Sequence, residues 1–278
     1  MKTLLRLLPF LAATALFAAN PTPDWTVHTA TAPDDTHLDY VLKLPAGEGP
    51  FPVVVFFHAA PGGVGLDGLK RLANPLRWTP FLNAGIAVCV ADYRGHTANR
   101  PFEVLRGDVN ATDDVAAIFQ ALSADPALDL TRSAILANSL GGAITLQTVS
   151  DGKVSPRCLV LNAPASFFFV GLRGRPGGKD PLTDADIDKA AALQRIAPLD
   201  LPMLLIQGTA DPLYRVNEKL AEVMVAAGKD LHFQTFADES HSFTNGPDSP
   251  AFQSAVALSV EFIRKHLEAA SSSDPIGP

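Results

Sequence analysis

Ile135-Leu136-Ala137-Asn138-Ser139-Leu140-Gly141-Gly142 runs from a short apolar stretch through one serine into a pair of glycines. The apolar stretch reads as a buried strand, and Leu140–Val149 continues as a helix. Strand and helix backbones approach closely where one turns directly into the other, so the flanking side chains must be small. Ala137, Gly141 and Gly142 meet that demand. Such a turn strains its central residue and leaves that side chain at the end of the strand. The residue held there carries a hydroxyl.

The rest of the chain repeats the strand-then-helix rhythm. Short apolar runs predict strands at Asp39–Leu44, Val53–Phe57, Ile86–Ala91, Ala134–Ala137, Cys158–Leu161, Met203–Gln207 and His232–Phe236. From Val53 onward most lack polar alternation, as strands covered on both faces do. Helical patterns fall at Leu76–Asn83, Thr112–Leu122, Leu140–Val149, Val216–Ala227 and Phe252–His266, with Thr112-Asp113-Asp114 as a start signal. The fold class is therefore α/β: a mostly parallel central sheet, helices on both faces, right-handed crossovers. With 278 residues, 47% of them hydrophobic, the chain can bury one large core. One stretch, 163–200, breaks the rhythm with Phe167-Phe168-Phe169, a Gly/Arg/Pro segment over Gly171–Gly178 and a modest helix at about Asp184–Arg195. It is too short for its own core and reads as a small lid-like insertion.

The N-terminus reads as a leader. Lys2 and Arg6 precede thirteen largely apolar residues, Leu7–Ala19, which as a helix extend about 20 Å against a hydrocarbon core of about 30 Å. Residues 1–19 are thus expected to act as a signal peptide, giving a periplasmic or secreted protein with no stable membrane span. Cleavage after Ala19 or Ala18 places Phe17 or Leu16 at −3, so retention as an N-terminal anchor is the alternative; no cysteine lies nearby to accept a lipid. The expected domain is 20–268, followed by a disordered tail over 269–278. Removing the leader takes the formal charge from −7 to −9, which argues against a nucleic-acid partner. Cys89 and Cys158 each lie inside an apolar run and read as buried small hydrophobes rather than a disulfide.

In an open α/β sheet, reactive groups gather beyond the carboxyl ends of the strands. Ser139, Asp211 in Gln207-Gly208-Thr209-Ala210-Asp211-Pro212 and His241 in Ser240-His241-Ser242-Phe243 all follow predicted strands, 72 and then 30 residues apart. A serine hydroxyl attacks only when a base takes its proton, and the base needs a carboxylate to hold its tautomer. Ser139, His241 and Asp211 fill those roles; Asp238 and Glu239 lie too near His241 in sequence to reach back to its ring. The amide of Leu140 is one candidate donor to an oxyanion, and that of Ala59 in His58-Ala59-Ala60-Pro61-Gly62-Gly63 is the other, with Ala60 as its alternative. Ala60, Tyr93 and Phe167 are candidate pocket residues. Bracing of loops by Tyr93 and Arg94, and core packing of Phe167, are the competing readings. His58 is expected to brace the oxyanion loop and His96 to sit at the surface or the pocket rim. No cluster has metal-ligand spacing and no glycine loop cradles a phosphate, so no metal or cofactor is expected.

Together Phe57–Gly63, Ala91-Asp92-Tyr93-Arg94-Gly95, Asn138–Gly142, Leu205–Pro212 and Ser240–Phe243 resemble the prolyl oligopeptidase (S9-like) and dienelactone-hydrolase-like branch of the α/β-hydrolases. The resemblance spans about Val53 to His266. It implies a serine hydrolase acting on a small-molecule ester or a short peptide. Ala137 stands where the first glycine of G-x-S-x-G is usual, and His58-Ala59-Ala60 where His-Gly-Gly is. The serine at 139 departs from the thiol of dienelactone hydrolases. No β-propeller is expected ahead of Val53. A carboxylesterase is the leading reading, a short-peptide peptidase the second, and a catalytically silent binding protein the third.

Overall fold

Val53, Val55 and Phe57 pack into one cluster of buried side chains, and their neighbours Val54 and Phe56 into another. That split is what a strand covered on both faces produces, because successive side chains point to opposite sides. The computed structural model describes residues 24–94, 111–173, 180–245 and 249–268. The leader over 1–19, His96, residues 174–179 of the lid-like segment and the 269–278 tail lie outside the described residues.

The strands are β1 (Thr26–Thr31), β2 (His37–Lys43), β3 (Phe51–Phe57), β4 (Ala87–Ala91), β5 (Leu128–Asn138), β6 (Cys158–Asn162), β7 (Met203–Gly208) and β8 (Leu231–Phe236). They form one sheet in the order β1-β2-β4-β3-β5-β6-β7-β8. β1 and β2 run antiparallel at one edge, and every pairing from β4 to β8 is parallel. The helices are α1 (Gly65–Leu72), α2 (Pro75–Asn83), α3 (Ala111–Ser123), α4 (Ser139–Ser150), α5 (Lys189–Ile196), α6 (Tyr214–Ala226) and α7 (Pro250–Glu268). Helices α3, α4, α5 and α6 cover the face bearing Val53, Val55 and Phe57, and α1, α2 and α7 cover the other. The expected α/β architecture is the one observed.

Four departures from the sequence reading have local causes. Strand β1 was not predicted; its residues are mostly exposed and only Ala30 is buried, so it lacks the apolar run that marks the central strands. Helix α1 was not predicted either, since Gly65 and Gly68 weaken any helical signal. Strand β5 starts at Leu128 rather than Ala134, its extra residues being mostly half-exposed. The helix expected from about Asp184 is interrupted: Asp184–Asp186 is a 3-10 turn, and α5 begins at Lys189 because the Asp188 side chain accepts from the Ala191 amide. Ile187, Ala192, Ile196 and Leu199 join the main core, so the described part of 163–200 is packed into the helical layer. Cys89 and Cys158 are free, buried and on opposite faces of the sheet. Burial pushes both thiols up, Cys158 to about 12.

Candidate active site

Strand β5 ends at Asn138 and α4 begins at the next residue, leaving Ser139 with φ of 49°, left-handed backbone that a non-glycine residue adopts at a cost. Packing holds it there. A Cβ on Gly141 would lie 2.5 Å from the carbonyl oxygens of Phe57 and His58, so the first turn of α4 rests directly on the end of β3. From the other side, the Ala165 amide donates to the Ser139 carbonyl at 2.8 Å. The serine side chain stays partly accessible.

Two loops bring the remaining groups. Strand β7 ends at Gly208, and Asp211 follows it with a fully buried side chain. Asp211 Oδ1 accepts from the Leu213 amide at 2.7 Å, while Oδ2 lies 2.8 Å from His241 Nδ1. His241 Nε2 in turn lies 2.9 Å from Ser139 Oγ. A carboxylate only accepts, so Nδ1 carries the proton and Nε2 accepts from the serine hydroxyl. The loops after β7 and β8 are joined by backbone hydrogen bonds, Thr209 N to the Phe236 carbonyl at 2.9 Å and Ala210 N to the Glu239 carbonyl at 3.0 Å. A third link runs from the Asp238 amide to Thr209 Oγ1 at 2.9 Å. A Cβ on Gly208 would fall 2.2 Å from the Glu239 carbonyl oxygen, so the seam closes only around a glycine.

On the other side of Ser139 lies the loop after β3. The Asp92 carboxylate at the end of β4 organises it. Oδ1 accepts from Gly63 N at 2.9 Å, Tyr93 N at 2.9 Å and His58 Nε2 at 3.1 Å, and Oδ2 from Gly65 N at 2.8 Å. Burial pushes the Asp92 carboxyl up, but the bonds from His58, Gly65 and Tyr93 outweigh it and hold the group below the ordinary carboxylate range. His58 Nδ1 reaches the Ala59 carbonyl at 2.6 Å, and the Tyr93 hydroxyl donates to the His58 carbonyl at 3.2 Å. The Ala59 amide meets no acceptor among the described residues. The Leu140 amide sits in the first turn of α4, where a helix leaves donors without internal partners.

Ser139, Asp211 and His241 are therefore brought together, and the 58–63 loop stands beside them. Ala60 is exposed and Phe167 half-buried against the core. Tyr93 is fully buried and its hydroxyl donates to the His58 carbonyl, so of its two expected roles it takes that of a brace for the loop and does not wall an open pocket. Arg94 clamps outward, its guanidinium meeting Asp114 of α3 at 2.6 Å and Asp34 between β1 and β2 at 2.7 Å. Asp92 is not among the site residues expected from the sequence. A carboxylate directly after an apolar strand that faces a glycine-rich loop is the signal that could have found it. A buried chain from Ser166 Oγ to Asn217 Oδ1 at 2.5 Å, and from Asn217 Nδ2 to Gln207 Oε1 at 2.7 Å, was also missed. Among the described residues no group of three His, Cys, Asp or Glu side chains is placed to hold a metal, and no helix is long and apolar enough to cross a membrane.

Solved structures share this arrangement of strands and helices. An esterase from the fungus Rhizomucor miehei superposes with a TM-score of 0.67 at 18% identity, over 90% of this chain and 86% of that one. A thermostable carboxylesterase cloned from a metagenomic library gives 0.67 at 20% identity, over 89% and 90%. The acylaminoacyl peptidase of Pyrococcus horikoshii gives 0.66 at 17% identity, over 92% of this chain but 43% of that one. The chain has the α/β-hydrolase fold.

In sequence, an uncharacterized protein of Mycobacterium tuberculosis is 32% identical over 149 residues, 52% of this chain. The match spans 49% of that protein, so the chain covers about half the length of the curated relatives it matches. No family model matches. Within the α/β-hydrolase fold, the loops bearing Ser139, Asp211 and His241 follow β5, β7 and β8, beyond the carboxyl ends of these parallel strands.

Proposed function

We propose that the protein is an exported serine hydrolase that cleaves carboxylic esters through an acyl-enzyme on Ser139. The observation that carries this reading is the unbroken hydrogen-bond chain from Ser139 Oγ through the His241 imidazole to the buried Asp211 carboxylate, at 2.9 and 2.8 Å. As Ser139 Oγ bonds the ester carbonyl carbon, its proton passes to His241 Nε2. Asp211 holds the ring in the required tautomer and stabilises the imidazolium. The developing oxyanion takes hydrogen bonds from the Leu140 and Ala59 amides. Collapse expels the alcohol, which leaves with the proton from His241. Water then gives a proton to the same nitrogen as it attacks the acyl-enzyme; the acid departs and Ser139 recovers its hydroxyl.

The likeness to esterases supports an ester substrate. The likeness to a peptidase supports short peptides as the second reading. A panel of p-nitrophenyl esters against aminoacyl-anilides separates the two; faster anilide turnover would reverse the order. A fluorophosphonate probe is expected to label the wild type and not Ser139→Ala. Labelling that survives the substitution would overturn the nucleophile, and an unlabelled wild type would favour a non-catalytic binding protein. Export rests on the charged and apolar leader over residues 1–19. Expression with the leader and N-terminal sequencing of the periplasmic or secreted product tests it.

A further inference from the structure

The carboxylate of Asp92 has no place in the proton path just described, yet four donors converge on it. Three come from the loop that follows β3: the His58 ring and the amides of Gly63 and Gly65. The fourth is the amide of Tyr93. The side chain is buried, and the loop it gathers includes Ala59, whose amide is the proposed second oxyanion donor. His58 carries the connection: one ring nitrogen rests on Asp92 and the other reaches the Ala59 carbonyl. The Tyr93 ring stacks on His58 with centroids 4.7 Å apart, and its hydroxyl takes the His58 carbonyl. Gly62 completes the packing, since a Cβ there would lie 2.4 Å from the Arg94 carbonyl oxygen and 2.6 Å from the Tyr93 ring. The peptide groups on both sides of Ala59 are thus fixed from the Asp92-Tyr93 pair.

We propose that Asp92 is a positioning residue for the oxyanion site, aiming the Ala59 amide through His58 and the Gly63 and Gly65 amides. The inference rests on the hydrolase reading of Ser139. Its physical basis is that a donor stabilises a developing oxyanion only if it is already aimed at that point before the reaction begins. A carboxylate can accept from four donors at once, whereas an asparagine in its place would turn an N–H toward one of them. Two facing donors would push the loop away from Ser139 with little change in side-chain volume.

The test uses the full chain. Asp92→Asn is expected to lower kcat on a p-nitrophenyl ester about 10- to 100-fold, below the cost of deleting an oxyanion donor outright, with KM nearly unchanged. Affinity for a trifluoromethyl ketone, which forms a tetrahedral adduct on the serine, should fall in step with kcat/KM. A purely structural role would lower the melting temperature without that split. Should Asp92→Asn not fold, His58→Gln decides, since it removes the ring that links Asp92 to the Ala59 carbonyl; a several-fold loss in kcat at constant KM is expected. Wild-type kcat in the folded variant, or a rise in KM alone, would overturn the proposal. Ser139→Ala keeps the two readings apart. If it retains ester turnover, the hydrolase reading falls and takes Asp92 with it; if it is inactive while Asp92→Asn turns over normally, only the role of Asp92 falls.

Discussion

The two sides of Ser139 are built by different means. Toward His241, the loops after β7 and β8 are sewn together mainly by backbone bonds and by a glycine with no room for a methyl group. Toward Ala59, the loop after β3 is gathered onto one buried side chain, Asp92. A backbone seam tolerates most side-chain changes and fails when something is wedged into it. A loop hung on one carboxylate fails when that carboxylate changes charge or shape.

The largest effect expected on the seam side lies at its functional end. Asp211→Asn keeps the shape but not the acceptor, so the imidazole loses its tautomer; kcat should fall on the order of 10³- to 10⁴-fold with the melting temperature nearly preserved.

Wedging the seam comes next. Gly208→Ala puts a methyl group against the Glu239 carbonyl. It should cost about 1–3 kcal/mol in a denaturant melt, and a shift of about 1 Å in His241 should lower kcat up to about 100-fold. Equal stability and activity would mean the two loops yield more freely than their backbone bonds suggest.

On the Asp92 side, the acid branch of stability sharpens the contrast. The folded carboxyl titrates below its unfolded value of about 3.9. Its contribution is complete above that pH and is lost as the pH falls through the folded value. The stability gap between wild type and Asp92→Asn should therefore narrow from pH 5 toward about 3, followed by urea unfolding. The smallest effect belongs to the outer clamp. Asp34 is largely exposed and shares Arg94 with the buried Asp114, so Asp34→Ala should leave the thermal midpoint and kcat unmoved within error.

Legibility in the sequence follows the same division. The central strands could be read because each is a short apolar run buried on both faces. The serine, acid and histidine loops could be placed because each comes directly after such a run. Strand β1 escaped because an edge strand needs little apolar content, and α1 because two glycines hide it. Asp92 escaped for another reason. Its bonds run to backbone amides some thirty residues away, and amides carry no residue-specific mark in a sequence. Tyr93 could be named as a pocket wall or a brace, but only the position of its hydroxyl chooses between them.

The left-handed backbone at residue 139 has a consequence for how the protein can change over generations. Glycine would occupy that position at ease, whereas an L-residue there forgoes about 1–2 kcal/mol of robustness. Heat tolerance and turnover thus pull one codon in opposite directions. A lineage released from the need for chemistry would drift toward glycine there, growing sturdier as it fell silent.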